Sequence, residues 1–448
     1  MPSATRYAFF DWKLNPTLAR LKNAAWWSFL GGLITHGSTV LTALVVAQLL
    51  GKRQFGEFAM LQSTAGMLGV FAGLGLGLTA TKHVAEWRQT QPGRAGRVIA
   101  LSQCTALVAG GLLGLAHYVG AGALAAGGLH APHLEPELRL ASLLLVANAM
   151  IGTQTGVLAG LEAFSQLAYL GLIRAALTLA LTVAWARPWG LRGAVWGLTI
   201  ASLLSGVMLL VYVRRECISA RVPVVYRTAL QERSVLWRFS LPALLSSMLL
   251  APVNWATNLM LAQQPNGYAE LGLYHAAEQW RNVILFVPAV MGNASLSLLA
   301  NLRGQARGRE YQHLFVTILR AMAGVTTAAA VAITLASPWL MRAYGPGFEQ
   351  AAPVLAILAA AAVLSAVCAP VGHVIASSGE MWWGLGVNLP WAAALLGAAA
   401  LLAERGARGL AIANVAAYSV QLLAVGLYWS RRGRWTPPVP VAAATGSI

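Results

Sequence analysis

The chain has 448 residues, of which 58% are hydrophobic and only 10% are charged, and its formal net charge is +17 at pH 7. This positive charge does not indicate nucleic-acid binding, because the basic residues flank apolar runs, where attraction to anionic lipid headgroups explains them. The three cysteines, Cys104, Cys217 and Cys368, lack the spacing of a disulfide framework or a metal site. We therefore expect a membrane protein with no nucleic-acid partner.

Twelve apolar runs of about 20 residues or more recur along the chain, with short loops between them. A run of this length crosses a bilayer as a helix, and the period-2 alternation of a membrane β-barrel is absent. The sequence therefore predicts an all-α polytopic membrane protein with about twelve transmembrane helices. The runs lie at 24–50, 56–80, 97–120, 138–160, 168–189, 190–213, 239–262, 271–300, 312–336, 351–376, 383–403 and 407–430.

The basic residues of the loops are unevenly divided between the two sides of the predicted membrane. Twenty Lys and Arg residues lie on the side of the N-terminus and eight on the other side. The side richer in Lys and Arg stays in the cytoplasm. We therefore expect a multi-pass protein of the bacterial cytoplasmic (inner) membrane, with the segments 1–23 and 431–448 both cytoplasmic.

The two halves of the chain carry matching short segments at a constant separation. Residues 55–58 (FGEF) match 271–274 (LGLY), and 192–194 (RGA) match 408–410 (RGL), in both cases 216 residues apart. Six spans is an even number, so a duplicated half re-enters the membrane in the same orientation. We expect two pseudo-symmetric six-helix lobes and a basic cytoplasmic linker. Their bounds are 24–213 for the first lobe, 214–238 for the linker and 239–430 for the second lobe.

No segment outside the predicted spans is long enough to bury a core, and the sequence has no phosphate-binding loop or paired carboxylates typical of enzymes. His130, His133, Glu135 and Glu137 share one loop. Because prolines lie among them and no further ligand is near, we interpret the group as a solvated loop rather than a zinc site. We expect a transporter, not an enzyme, that uses no metal or cofactor.

The eighth predicted span carries polar residues at membrane depth, where such groups are costly and usually functional. His275, Glu278, Gln279 and Asn282 stand at i, i+3, i+4 and i+7 and share one face of a helix. Arg281 flanks this face near mid-membrane, and Glu278 is close enough to compensate its charge. These five residues are our first candidates for substrate binding. A structural ion pair between packed helices is the alternative.

Two other predicted spans add polar residues to the candidate site. Asn254 and Asn258 share one face of the seventh span beside Trp255, while Thr39 of the first span lies on a hydroxyl-bearing face flanked by His36. Since spans from both lobes present polar faces, we expect a hydrophilic cavity between the lobes. The secondary cationic candidates are Arg174, Arg320, Lys52 and Arg53.

The charges of the spans favour an anionic ligand. Arg174 and Arg320 lie near enough to the cytoplasmic ends of their spans to snorkel to the headgroups. Arg281 is deeper, and with the help of Lys52, Arg53 or the cytoplasmic-side arginines it could hold a phosphate by charge-assisted hydrogen bonds, while the amides and hydroxyls bind sugar hydroxyls. A cation exporter needs a carboxylate, and the first six spans carry none beyond their first turns.

Short motifs occur in order along nearly the whole chain, at 23–27 (NAAWW), 49–58 (LLGKRQFGEF), 73–85, 192–197 (RGAVWG), 270–277, 344–348 (YGPGF) and 378–382 (SGEMW). In order and spacing they resemble the Wzx-type polysaccharide flippases of the multidrug/oligosaccharidyl-lipid/polysaccharide exporter superfamily. The resemblance implies a V-shaped bundle that flips an undecaprenyl-pyrophosphate-linked oligosaccharide to the outer leaflet by alternating access. Members often carry cationic residues in the central cavity, and Arg281 best fits that role.

The resemblance also implies the partners: a polyprenyl-pyrophosphate-linked glycan, membrane lipids, and polysaccharide polymerase and chain-length proteins. It leaves open whether the product is O-antigen, capsule or exopolysaccharide. The lipid II flippase is a poorer match, because it has two further C-terminal spans and several arginines in its first spans. Two other functions remain alternatives: a multidrug or organic-cation antiporter of the same fold, and a non-transporting membrane glycan-assembly protein.

The charge asymmetry makes a direct prediction about topology. Reporters fused after Trp87, Arg221 or Arg307 should report cytoplasm, whereas reporters fused at Glu135 or Gly345 should report periplasm, because Lys and Arg concentrate on the cytoplasmic side. Paired phosphatase and fluorescent-protein fusions measure both outcomes. Two or more reversed reporters would break the twelve-span topology.

Overall fold

A computed structural model of the chain describes residues 16–240, 244, 248–304, 308–377 and 381–432. Most of the predicted terminal segments, 1–23 and 431–448, lies outside the described residues. Within the described residues the chain forms eleven α-helices, a few short 3₁₀ and π turns, and no strand. The helices are α1 (Pro16–Gly73), α2 (Leu76–Trp87), α3 (Pro92–Ala123), α4 (Glu135–Gly160), α5 (Phe164–Ser219), α6 (Leu250–Ala262), α7 (Gly267–Gly304), α8 (Gly308–Arg342), α9 (Ala352–Ser377), α10 (Met381–Leu402) and α11 (Gly406–Arg432).

The two longest helices, α1 and α5, are each interrupted by one glycine. They contain 58 and 56 residues, or roughly 85 Å of helix, far more than the ~30 Å of a bilayer core. The interruption lies at Gly51 in α1 (φ 69°, ψ 169°) and at Gly190 in α5 (φ 55°, ψ −135°). Glycine adopts positive φ without steric cost. Each long helix therefore provides two membrane-crossing segments.

Seven helical stretches of the described residues are long and apolar enough to cross a membrane, and some of them are long enough to cross it twice. The all-α polytopic fold is confirmed, whereas the count of twelve spans and the division into two lobes stay predictions. Two predicted bounds differ from the structure. The span 56–80 is divided, because Leu74 (φ 45°) and Gly75 (φ 66°) separate α1 from α2. Helix α5 continues into the first residues of the predicted linker 214–238.

Backbone geometry repeats at the separation that the sequence motifs predict. Gly190 (φ 55°, ψ −135°) and Gly406 (φ 64°, ψ −145°) have nearly the same dihedral angles, in a region open almost only to glycine. They are 216 residues apart, and each directly precedes a helical segment that packs on its neighbours. The same chain reversal is therefore built twice.

Helices α1 and α7 touch where the first pair of repeated motifs lies. A Cβ atom on Gly56 would collide with the carbonyl oxygen of Tyr268, and one on Gly272 would collide with the carbonyl oxygen of Lys52. Tyr268 follows Lys52 by 216 residues, as Gly272 follows Gly56. The contact is thus reciprocal, as contacts across a two-fold axis are. We call it the glycine contact.

Aromatic side chains pack around the glycine contact. The ring centroid of Phe55 lies 6.4 Å from that of Tyr344, 6.0 Å from that of Phe348 and 5.5 Å from that of His275. Phe55, Tyr344 and Phe348 are fully buried. These rings close one end of the helix bundle, which the charge asymmetry predicts to be the periplasmic end. We call it the closed end.

The predicted linker packs against α3 rather than standing free of it. Glu232 is buried and accepts hydrogen bonds from Arg94 (Nε to Oε2, 3.1 Å) and Arg97 (Nη2 to Oε1, 2.8 Å). The hydroxyl of Tyr226 donates to Gln103 at 2.7 Å. Burial raises the pKa of Tyr226 and keeps that hydroxyl protonated. The linker is therefore fixed to the first half of the chain.

The glycine contact leads to a stability prediction. Gly56→Ala and Gly272→Ala should each destabilise the protein by about 1–3 kcal/mol, because the added methyl group forces two packed backbones apart. A Cβ atom on Gly69 of α1 would meet no other atom within 4 Å, so Gly69→Ala should stabilise the helix by up to about 1 kcal/mol. Thermal unfolding of purified protein in detergent measures all three variants. Unfolding of Gly56→Ala at the wild-type temperature would contradict the close contact.

Candidate functional site

The main cavity of the described residues has a volume of about 380 Å³ and lies between α1, α4, α5 and α7. Polar side chains cover much of its wall, among them amides from three helices. Most of them come from the first half of the chain. The polar lining residues are Thr35, Ser38, Thr39, Thr42, Gln62, Asn148, Arg174, Thr178, Thr182, Ser202, His275 and Gln279.

Arg174 is the only Lys or Arg among the residues that line this cavity. Helix α5 places it in register with Thr178 and Thr182, because residues four apart share one helix face. Its guanidinium forms no hydrogen bond or ion pair with any residue that the structure describes, although the side chain is half-buried. A partly desolvated guanidinium with free N–H donors is suited to bind an anion.

The hydroxyls of α1 are arranged to accept hydrogen bonds from a ligand. Thr35 donates to the carbonyl of Gly31 at 2.8 Å, and Ser38 and Thr39 donate to the carbonyl of Thr35 at 2.9 Å and 2.8 Å. Each hydroxyl proton is thus used within the helix, while the oxygen lone pairs remain available. This row of acceptors fits sugar hydroxyl groups, which donate as well as accept.

No carboxylate occurs among the residues that line the main cavity. One guanidinium, several hydroxyls and several amides therefore give the wall a positive potential. An organic cation would be repelled by Arg174 and would find no counter-charge on this wall. The cavity is suited to an anionic or a neutral, hydroxyl-rich ligand.

The structure brings three of the predicted substrate-binding residues to the main cavity: Thr39, His275 and Gln279. His275 Nε2 and Gln279 Nε2 are 3.0 Å apart, which fits a hydrogen bond from the amide to the ring nitrogen. Glu278 and Asn282, on the same stripe of α7, are not among the lining residues. The stripe is therefore divided between the cavity and a helix interface.

Arg281 also lies away from the main cavity, between α7 and α11. Its Nη1 donates to Asn414 Oδ1 at 3.1 Å, and its Nη2 lies 3.6 Å from Glu278 Oε1. Asn414 in turn donates to the hydroxyl of Tyr274 at 3.1 Å. The Nε of Arg281 is buried without an acceptor among the described residues. These contacts match the alternative of an ion pair between packed helices, and a substrate-binding role for Arg281 stays an untested prediction.

The candidates on α6 connect this helix to α1. Asn258 donates from Nδ2 to Ser63 Oγ at 3.1 Å, and Trp255 donates from Nε1 to Thr64 Oγ1 at 3.0 Å. Asn254 is exposed and does not line the main cavity. The amide of Asn258 and the indole of Trp255 therefore hold the two halves of the chain together beside the cavity.

Four remaining candidates lie outside the main cavity. The ring of His36 packs on Phe286, with centroids 5.1 Å apart. Lys52 and Arg53 lie at the closed end, where Arg53 Nε is 3.5 Å from Glu57 Oε1. Arg320 is exposed on α8 and lines no described cavity. Among the secondary cationic candidates, only Arg174 faces the cavity.

Sequence analysis missed a polar cluster at the closed end, centred on Glu57. This carboxylate is only 4% exposed, and His133 Nε2 lies 3.1 Å from its Oε1. Tyr268 donates to the carbonyl of Leu129 at 2.8 Å, and Gln263 donates to that of Gly128 at 2.7 Å. The side chain of His133 is itself 53% exposed, as a residue of a solvated loop is, and its ring contacts the buried Glu57. No group of possible metal ligands occurs among the described residues.

Two curated relatives resemble the chain over most of its length. The EPS I polysaccharide export inner membrane protein EpsE of Ralstonia nicotianae is 28% identical over 397 residues, covering 87% of this chain and 89% of that protein. The protein of the same name from Ralstonia solanacearum is 26% identical over 402 residues, with the same two coverages.

Solved structures share the fold at low sequence identity. An inward-facing multidrug resistance MATE family transporter of the MOP superfamily superposes with a TM-score of 0.74 at 15% identity, covering 90% of this chain and 94% of that one. The lipid II flippase MurJ in an inward closed conformation superposes with a TM-score of 0.73 at 10% identity, covering 91% and 87%. Residues 21–297, well over half of the chain, match the family described as polysaccharide biosynthesis protein. The chain therefore belongs to the polysaccharide biosynthesis protein family, with the fold of the exporter superfamily that its motifs resemble.

Proposed function

We propose that the chain is a flippase that moves an undecaprenyl-diphosphate-linked oligosaccharide from the inner to the outer leaflet of the bacterial cytoplasmic membrane. The unpaired Arg174 in a hydroxyl-rich cavity without carboxylates is the observation that carries this proposal. Family membership and the polysaccharide export relatives from Ralstonia support it. The names of those relatives favour an exopolysaccharide as the product.

In this proposal Arg174 binds the diphosphate group. A diphosphate that enters a low-dielectric cavity loses hydration, and a planar guanidinium replaces part of it with two parallel hydrogen bonds. One hydrogen bond to a charged group contributes about 1.5–3 kcal/mol. Thr178 and Thr182 follow Arg174 along the same wall, and their hydroxyls are further hydrogen-bond donors to the head group.

The glycan occupies the polar remainder of the cavity. Amides at Gln62, Asn148 and Gln279 both donate and accept, while the hydroxyls of Thr35 and Thr39 accept from sugar hydroxyls. Side chains that can form hydrogen bonds with any sugar hydroxyl tolerate glycans of different composition. This suits a carrier whose cargo is defined by its lipid-diphosphate end.

Alternating access is part of the proposal, and the closed end is its gate on the side predicted to face the periplasm. Besides the buried rings of Phe55, Tyr344 and Phe348, the contacts that hold this gate are small and polar: the Glu57 cluster and two hydrogen bonds to loop carbonyls. Such contacts exchange for water when the halves separate, at a net cost of about 1 kcal/mol each. The glycine contact provides a smooth surface on which the backbones meet again.

A multidrug antiporter is the alternative that shares the fold, as the MATE transporter does. It needs an acidic group facing the cargo, and the deepest carboxylate of α7, Glu278, is paired with Arg281 at 3.6 Å and with His275 at 3.6 Å. The cavity wall therefore supports the flippase better. The proposed partners are membrane lipids, the lipid-linked glycan, and polymerase and chain-length proteins that consume it.

The function is tested through Arg174. Arg174→Ala should lower translocation of a labelled undecaprenyl-diphosphate oligosaccharide roughly ten- to a hundred-fold, the equivalent of one lost charged hydrogen bond. Arg174→Lys should retain part of the rate, because it keeps the charge without the planar fork. Reconstituted vesicles measure the rate per folded molecule.

The matched control is Arg320→Ala, which removes an exposed cation that lines no described cavity. Its rate should equal that of the wild type. A normal rate for Arg174→Ala would refute the site, and failure of the wild-type protein to translocate the glycan lipid would refute the function.

The ion pair on α7 yields a separate prediction. Arg281→Ala should lower the free energy of unfolding by about 1–3 kcal/mol, because it removes the arginine partner of the partly buried Glu278 and leaves the buried Asn414 Oδ1 without a donor. The double variant Glu278→Gln with Arg281→Met should recover part of this loss, and a double-mutant cycle from thermal unfolding measures the coupling. The folded fraction of Arg281→Ala should transport normally. Normal stability of Arg281→Ala together with abolished transport would contradict the packing role and indicate that Arg281 binds substrate.

A further inference from the structure

A second cavity, with a volume of about 280 Å³, adjoins the main cavity at Arg174. Thr35, Gly171 and Arg174 line both cavities, so the guanidinium stands at their common boundary. The second cavity lies between the first half of α1 and the beginning of α5. Its apolar wall consists of Trp27, Phe164, Leu167, Ala168, Leu170 and Leu209.

The two cavities differ in the balance of polar and apolar side chains on their walls. Twelve polar and eight apolar side chains line the main cavity, whereas six apolar side chains line the second cavity together with two threonines and Arg174. A ligand that lies across the boundary meets a wall rich in hydroxyls and amides, then a cation, then a mainly apolar wall. A molecule with a glycan, a diphosphate and a hydrocarbon chain in that order matches this sequence of surfaces.

The geometry points to a divided binding site in which the second cavity holds the first isoprene units of the lipid carrier. This inference rests on the proposed function and adds where the lipid end of the cargo binds. Apolar surface removed from water stabilises the bound chain in proportion to its area.

Size and position agree with this occupant. A volume of about 280 Å³ is enough for the beginning of a polyisoprenyl chain and not for the whole of it. The cavity reaches Phe164, the first residue of α5, ten residues before Arg174, or roughly 15 Å along the helix axis. The remaining chain leaves there for the leaflet that the charge asymmetry predicts to be cytoplasmic.

The experiment compares two probes that share one oligosaccharyl diphosphate head. One probe ends in a farnesyl chain and the other in a methyl group. Leu167→Trp fills the apolar cavity, and Leu172→Trp on the same helix serves as the matched control, because Leu172 is 48% exposed and lines neither cavity. Binding of both probes to full-length protein in detergent is measured by competition with the labelled glycan lipid.

In the wild type and in Leu172→Trp, the farnesyl probe should bind at least about ten-fold more tightly than the methyl probe, because each buried methylene is favourable. Leu167→Trp should abolish this preference and leave binding of the methyl probe unchanged. An undiminished preference in Leu167→Trp overturns the divided site while the proposed function stands. Failure of the wild type to bind either probe overturns the proposed function itself.

A second measurement needs no variant. A farnesyl probe with a photoactivatable diazirine on its first isoprene unit should label the segments 27–31 and 164–170 of the wild-type protein. Mass spectrometry of the digested protein locates the label. Labelling confined to α8 or α9 would place the hydrocarbon chain elsewhere and overturn the inference.

Discussion

The direct contact of two glycines, Gly56 on α1 and Gly272 on α7, is the constraint on which the rest of the structure depends. Any side chain at either position would collide with a backbone carbonyl of the other half. Because the backbones meet, Phe55, Tyr344 and Phe348 can surround them and seal one end of the bundle. The main cavity begins directly behind this seal, with Phe55 and His275 in its wall.

The reciprocal pairing of residues 52 and 56 with 268 and 272 is the contact that a duplicated chain with two-fold symmetry would make. Equivalent positions make equivalent contacts at the closed end, yet the two interiors have diverged. The first half presents Arg174 to a cavity without an ionic partner, while the second half satisfies Arg281 with Glu278 and Asn414. A free cation favours ligand binding, and a paired one favours packing of the helices.

The sequence predicted the all-helical membrane fold well, because apolar runs are local signals, and its repeated glycine motifs mark positions where the backbone geometry recurs. It did not predict the division at Leu74 and Gly75, where the apolar run continues through a change in backbone direction. The functional site was harder to predict from the sequence. The stripe on α7 has the right spacing for one face, but spacing does not tell whether that face meets a cavity or another helix. The depth of Arg174 allowed snorkelling, and only the packing of α1 and α4 around it creates a cavity there. The stripe formed by Arg174, Thr178 and Thr182 was available in the sequence as a signal.

A carrier for an amphiphile must satisfy opposite demands within a few ångströms. The diphosphate of such a cargo needs a compensating charge when it leaves water, whereas the hydrocarbon chain must stay out of water throughout. A guanidinium at the boundary of a polar and an apolar cavity meets both demands with one residue. It also limits affinity, because a single charged contact holds the diphosphate without trapping it. In the proposed transport cycle, release on the far side requires only that this contact exchange with water when the closed end opens, so the same Arg174 would serve both loading and discharge.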